Sequence, residues 1–346
     1  MSSQAVLGTT TPASLLRVLD SIVVHQALYA ATALGVADLL LDQPRTTADL
    51  AHELEVNEEA LYRILRALAG EGIFEERAPR TFANNDVSHF LRNGVPGSVR
   101  SILAFKGSFY FFAPFGEILY SIQTGQSART KALGMNGFEY LREHPETARV
   151  FDDAMTNISE LSASAIASAY DFGRWGSLMD IGGGNGILLA AILKAHRGLR
   201  GVLADQPHVL ERARQRGFLG GELAARSTML DCDFFRQVPS GCPAYIMKHV
   251  IVDWEDESAH AILANCRRAI PADGVLLIVD FALPDGNRHS TGKLADIAML
   301  VLTGGRVRTV PEYRELLAGA GFTLDRVIPV PGDLIIFEAM PSALPH

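Results

Sequence analysis

The sequence has few cysteines, no excess of positive charge and no long unbroken apolar run, and each shortage removes a class of function. Cys232, Cys242 and Cys266 are odd in number and lack a paired metal-ligand spacing. A disulfide scaffold and a zinc module are therefore set aside, and the expectation is reduced thiols in a cytoplasmic protein without a metal site. A formal net charge of −8 leaves no electrostatic footprint for nucleic acid or for an anionic membrane surface. The longest uncharged stretch, Ser21 to Ala37, is interrupted by His25 and Gln26 and falls short of the roughly 20 apolar residues that span a bilayer, so a buried helix is expected there. Residues Met1 to Ala13 carry no basic segment followed by an apolar core, which argues against a secretory signal.

What is present is a chain of 346 residues that is 48% hydrophobic, long enough for two domains and at least one large core. Its most informative stretch is Asp180-Ile181-Gly182-Gly183-Gly184-Asn185-Gly186, which follows the apolar pair Leu178 and Met179 and runs into the helix-like Ile187 to Leu193. That pattern reads as strand, glycine turn, helix. Glycines at 182, 184 and 186 let backbone approach a ligand where a Cβ would collide, and Asp180 can accept hydrogen bonds from a cationic group. A nicotinamide dinucleotide would call for a third glycine at 187, where the chain has Ile, so an adenosyl ligand without a pyrophosphate fits better. Asp205 ends the next apolar run at the distance from which an acid grips ribose hydroxyls.

Apolar residues from Pro12 to Leu41 recur near a helical period but cover more than one face, which suggests subunit packing and a homodimer. Thr46-Thr47 starts one helix with a threonine cap, a second covers Val56 to Leu68 and ends near Gly70 and Gly72, and Ile73 to Phe82 reads as a hairpin, together a winged helix. The second helix opens with Glu58-Glu59 in a segment that is not basic, so DNA binding is disfavoured. A phenylalanine-rich region follows, with Phe105, Phe109, Phe111, Phe112 and Phe115; it serves as core, and part of it could line an apolar substrate cavity. From Trp175 onward strands alternate with helices at 177–181, 201–205, 226–230, 244–251 and 274–280, then 321–329 and 333–339 after a helix at 311–320. Such alternation gives a doubly wound parallel sheet with ligands at the strand C-termini, and Pro331-Gly332 joins the last two strands as an antiparallel hairpin. The expected organisation is 1–98, a mainly α-helical winged-helix dimerisation domain; 99–170, a helical linker and substrate-cavity region; and 171–346, an α/β Rossmann-like ligand-binding domain.

Taken together, the glycine motif, Thr124-Gly125, Gly137-Phe138-Glu139-Tyr140-Leu141, His144-Pro145, Phe151 through Ala154-Met155, Asp205-Gln206-Pro207 and Asp233-Phe234-Phe235 form a recognisable set. With Lys248 ahead of Asp253-Trp254-Glu255-Asp256, and Gly304-Gly305 ahead of Arg308-Thr309, the chain resembles the class I S-adenosylmethionine-dependent O-methyltransferases of small molecules. The resemblance spans nearly the whole chain. It implies S-adenosyl-L-methionine as cofactor, with Asp180, Gly182, Gly184 and Gly186 along its methionine end, Asp205 on the ribose, Asp233 and Phe234 on the adenine, and Lys248 near the polar tail. It also implies Met155, Trp254 and Met299 as shapers of the substrate pocket.

The family's general base is a histidine directly before its Asp-Trp pair, oriented by two acids. Here Val252 occupies that place, Asp280 matches one acid, and Val307 replaces the other; Ala298 is apolar where relatives often carry a polar residue. General-base catalysis contributes about 10²- to 10⁴-fold, or about 3 to 5 kcal/mol of barrier, while proximity and orientation still supply about 7 to 11 kcal/mol. The expectation is therefore methyl transfer to an acceptor that is already nucleophilic. Asp280 is the candidate for polarising or positioning that acceptor, and His249, three residues before Val252, is either a substitute or a satisfied histidine. The competing expectations are an S-adenosylmethionine-binding enzyme of different chemistry, such as rearrangement, cyclisation, decarboxylation or hydroxylation, and a non-catalytic partner subunit.

Overall fold

A computed structural model describes residues 12–41 and 43–342. The secretory-signal reading of Met1 to Ala13 falls mainly on residues 1–11, outside the described residues. The chain divides into two compact units, one containing the residues up to Gly116 with Phe138–Asn157, the other Glu117–Gly137 with the residues from Ile158 onward. Region 99–170, expected as a linker, is thus shared between them.

In the first unit the helix Glu58–Gly70 begins at Asn57, whose side chain accepts the Ala60 N–H, and buries Leu61, Leu65 and Leu68 along one stripe. Thr46 caps Thr47–Leu54 by accepting from the Asp49 N–H. Strands β1 (Arg45–Thr46), β2 (Glu75–Ala78) and β3 (Thr81–Ala83) form a small antiparallel sheet in the order β1-β3-β2, the expected wing. The core of this unit holds Val36, Leu50, Phe74, Phe82 and Leu91 with that helical stripe. The N-terminal helix Pro12–Ala33 behaves differently: Leu15, Leu16, Leu19, Ile22 and Val23 are more than half exposed, leaving a long apolar face uncovered. The phenylalanine-rich stretch is mixed in burial. Phe105 is buried against Phe111 and Phe151 at ring separations of 5.1 and 5.5 Å, whereas Phe109 is exposed.

The second unit is built on seven strands: β4 (Ser177–Ile181), β5 (Arg200–Asp205), β6 (Ser227–Asp231), β7 (Ala244–Lys248), β8 (Val275–Phe281), β9 (Phe322–Val330) and β10 (Leu334–Pro341). Their order is β6-β5-β4-β7-β8-β10-β9, with β4 to β8 parallel and β10 antiparallel to both neighbours. The sheet is covered on both faces, because alternate residues of a strand enter different cores. Val275, Leu277 and Val279 pack with the helix Ile187–Ala195, while Leu276 and Ile278 pack with the helix Asp256–Ala269. β4 lies between β5 and β7, so the chain reverses its direction of winding there and opens a crevice at the strand C-termini.

One strand is shorter than expected. β7 ends at Lys248 rather than 251, because His249 adopts a left-handed backbone with φ of 53° and the chain turns into the short 3-10 segment Ile251–Asp253. Such a conformation breaks a ladder and is uncommon for a residue with a Cβ.

Candidate active site

Four parallel strands deliver the site residues to one edge of the sheet: Asp180 from β4, Asp205 from β5, Lys248 from β7 and Asp280 from β8. Asp180 is about 1% exposed, and its Oδ2 has no hydrogen-bond partner among the described residues. Burial and the nearby Asp205 push its pKa up to about 7, against the pull of the Lys248 ammonium. Lys248 donates to Ser159 Oγ at 3.3 Å. Its pKa falls to about 8 through burial, opposed by Asp180 and Asp280, so one cation stands between two carboxyls.

The glycine turn has divided duties. Gly182, Gly184 and Gly186 all hold positive φ, at 66°, 59° and 80°. A Cβ on Gly184 would meet open space, whereas one on Gly182 would lie 2.9 Å from Val250 and 3.6 Å from the Phe234 ring. Gly183 is the most crowded of the four: a Cβ there would sit 2.5 Å from Leu203 and 2.6 Å from the Asp180 carboxyl. Its neighbours carry the spacing pattern, so nothing in the sequence marks it. Asp205 braces the turn, accepting the Gly184 N–H on Oδ2 at 2.9 Å and the Gln206 N–H on Oδ1 at 2.7 Å. Burial raises the Asp205 pKa, and these two backbone bonds lower it. Asp233 is exposed and accepts the Phe235 N–H. Phe234, half-buried, is fixed through its carbonyl by Asn265 Nδ2 at 2.7 Å. These residues suit an adenosyl ligand with a charged amine: an unpaired buried carboxyl oxygen, open backbone at Gly184, and an aromatic edge beside Gly182.

Asp280 organises the neighbouring site. It is fully buried; Oδ2 accepts the Tyr313 hydroxyl at 3.0 Å and the Val252 N–H at 3.2 Å, while Oδ1 faces His249 Nδ1 at 3.2 Å and accepts the Phe281 N–H. Both oxygens are committed to protein donors, so this carboxylate orients its neighbours. His249 stacks on Phe281 and leaves about 23% of its side chain accessible. Burial and the adjacent Lys248 ammonium lower its pKa, and Asp280 acts in the opposite sense. Asp253, half-buried, is raised to about 7 by burial and by Asp280, with Arg129 opposing.

Val252 and Val307 are both buried, and the Val307 N–H donates to Asp296. The loop around Val252 is clamped by Arg308, in the sequence no more than a motif marker: the buried side chain donates to the carbonyls of Ile251 and Trp254 and to the Asp256 carboxylate. Gly305 lies against the same loop, where a Cβ would be 2.3 Å from the Val252 carbonyl oxygen. Trp254 packs edge-on to Phe235 at 4.7 Å, and Met299 is half-buried on the helix Thr291–Leu302. Met155, the third expected pocket residue, belongs to the first unit and is half-buried. Tyr313 and Ser159 carried no sequence signal; each reaches the site only through folding. Among the described residues there is no cluster able to hold a metal ion, and no single helix is long and apolar enough to cross a membrane.

The O-methyltransferase domain family model matches residues 115–323 and the O-methyltransferase dimerisation domain model matches residues 16–93. The chain is 40% identical to the phenazine O-methyltransferase PhzM of Lysobacter antibioticus, over 94% of this chain and 95% of that protein. It is 34% identical to the aclacinomycin 10-hydroxylase RdmB of Streptomyces purpurascens, over 90% of this chain and 84% of that protein. Among solved structures it is similar to the O-methyltransferase NcsB1 from neocarzinostatin biosynthesis, in complex with S-adenosylmethionine and 2-hydroxy-5-methyl naphthoic acid. That match has a TM-score of 0.80 at 31% identity and covers 92% of this chain and 95% of the other. The glycine turn, the unpaired Asp180 oxygen and Lys248 fit S-adenosylmethionine, which supplies an electrophilic methyl group when bound, and the chain belongs to the S-adenosylmethionine-dependent O-methyltransferase family.

Proposed function

We propose that this protein transfers the methyl group of S-adenosylmethionine to a small aromatic or polyketide-like natural product, working as a homodimer in the cytoplasm. The observation that carries the reading is the Asp180 carboxyl, buried beside the glycine turn with Oδ2 unpaired, in a chain of this family. An ammonium group brought to that oxygen would replace the missing hydrogen bond and hold the cofactor's amino-acid end, with Lys248 beside it. Asp205 and Phe234 would receive the ribose and adenine, and Asp233 would lie at the outer edge. Trp254 and Met299 would shape the acceptor's surroundings.

The exposed apolar face of Pro12–Ala33 lies largely within the match to the dimerisation domain and would be covered by a second copy. Val252 and Val307 bring no proton acceptor to the position the family's histidine takes. The acceptor is then either nucleophilic by itself or deprotonated from another side.

A second reading rests on the similarity to a hydroxylase: retention of the cofactor for chemistry other than methylation. One experiment separates the two. Purified protein is incubated with methyl-labelled S-adenosylmethionine and an extract of a host lacking the gene, and metabolites are followed by mass. A product that gains the label supports methyl transfer. A product that changes without label, and only when the cofactor is present, supports the second reading. No cofactor binding at millimolar concentration would overturn both.

A further inference from the structure

The methyl-transfer reading leaves open how an acceptor hydroxyl loses its proton, and the inference here rests on that reading. We infer that His249 is the proton acceptor of the reaction, held by Asp280 and, through Asp280, by Tyr313, so that the substrate class is a hydroxyl still protonated at neutral pH.

Four observations converge on this ring. Its Nδ1 faces the buried Asp280 carboxylate at 3.2 Å, the geometry in which an acid fixes the tautomer with hydrogen on Nδ1 and the lone pair on Nε2. Nε2 has no hydrogen-bond partner among the described residues, and the side chain keeps about 23% of its surface accessible. The carboxylate itself is over-determined: the Tyr313 hydroxyl, the Val252 N–H and the Phe281 N–H occupy its remaining positions, so it can neither rotate nor meet a substrate. Finally, His249 holds a φ of 53°, a conformation that costs a residue with a Cβ and persists where surrounding structure imposes it. That bend ends β7 and turns the residue after Lys248 toward β8, where its N–H reaches the Val279 carbonyl at 3.1 Å.

The groups facing the ring are Lys248 from its own strand, Asp280 from β8 and, behind Asp280, Tyr313 and Asp253. Burial and Lys248 hold the ring neutral at neutral pH, which is the form that can accept a proton. In the reaction the acceptor O–H bond breaks and its proton moves to Nε2. The oxygen electron pair forms the O–CH3 bond while the C–S bond breaks, its pair remaining on sulfur, and the imidazolium is paired with Asp280 until it loses the proton to water. His249 is catalytic in this scheme; Asp280 and Tyr313 are positioning residues.

The test combines a spectroscopic and a kinetic arm on the full chain. Histidine-labelled protein gives imidazole signals, with that of His249 assigned by its loss in His249→Asn, a residue that tolerates the left-handed backbone. The expected result is a neutral ring protonated on Nδ1 that titrates below the ordinary histidine value, and loss of this tautomer preference in Asp280→Asn and its weakening in Tyr313→Phe. A ring protonated on Nε2 at neutral pH, or already charged there, overturns the inference whatever the enzyme's activity. In the kinetic arm, the acceptor identified by label transfer is methylated with kcat/KM falling on acidification through the His249 titration. His249→Asn lowers the rate by about 10²- to 10⁴-fold and flattens that limb while cofactor binding persists. A variant within about tenfold of wild type with the limb unchanged overturns it. If no acceptor takes the label, the function proposed above fails, and the imidazole titration still decides the dyad.

Discussion

Replacing Asp180 by Asn should make the ligand-free protein more stable and the cofactor weaker. The Asp180 carboxyl is buried with one oxygen unpaired, and its pKa is raised from 3.8 to about 7. An acid whose folded pKa lies above its unfolded one is favoured in the folded state while protonated, and stability falls as pH rises between the two values. A shift of about three units corresponds to roughly 4 kcal/mol, an upper bound because Lys248 loses its counter-charge in the variant. The stability advantage of Asp180→Asn should therefore be near zero at about pH 4, grow steadily, and level off above about pH 7. Urea unfolding of both proteins across this range measures it. In the same variant, loss of the charged partner for the cofactor's ammonium should cost about 2 to 5 kcal/mol of affinity, roughly thirtyfold or more, read by calorimetry. A stability difference that does not grow with pH would refute the unpaired-carboxyl argument, and unchanged affinity would refute its role in binding.

Other perturbations probe different parts of the fold. Gly183→Ala puts a Cβ against Leu203 and the Asp180 carboxyl and should cost about 1 to 3 kcal/mol of stability, with cofactor affinity falling too; no loss in either would mean the turn can shift. Glu338 is buried on β10 and accepts from Tyr170 at 2.9 Å, from Arg174 at 2.6 Å and from Arg326. Burial alone would raise its pKa, but these donors hold it below the ordinary value. Its contribution is thus present above the unfolded pKa and lost as pH falls, and Glu338→Gln should cost about 1 to 3 kcal/mol at neutral pH but little in acid, measured by unfolding at the two pH values. Leu19→Glu with Ile22→Glu charges the uncovered face of Pro12–Ala33 and should convert a dimer to a monomer in light scattering; an unchanged mass would place the subunit contact elsewhere.

Local pattern carried much of the architecture. The alternation of apolar strands with helices gives the sheet and its parallel part, since the central strands β4, β7 and β8 are covered on both faces and read as mostly apolar runs. The threonine pair at 46–47 marks a helix start because the Thr46 side chain caps a backbone N–H within the same few residues. The apolar pattern continues through Val250-Ile251-Val252, and nothing local announces the left-handed turn at His249 that ends β7 at Lys248.

The sequence by itself determined which residue types stand at the strand ends and how far apart, and so the glycine turn, Asp180, Asp205, Lys248 and the family they belong to. These lie within short stretches whose geometry follows from backbone preference and spacing. Only the tertiary structure decided what surrounds each of them. Gly183 is crowded by Leu203 from another strand and by the Asp180 carboxyl. Asp280, a lone acid in the sequence, becomes the shared acceptor for a tyrosine, a histidine and backbone groups from three separate segments. Arg308 becomes a buried clamp because its guanidinium finds the Asp256 carboxylate more than fifty residues away in the chain. Burial and charge of this kind depend on contacts that sequence distance does not encode, and they set which carboxyls hold a proton and which imidazole keeps a free nitrogen.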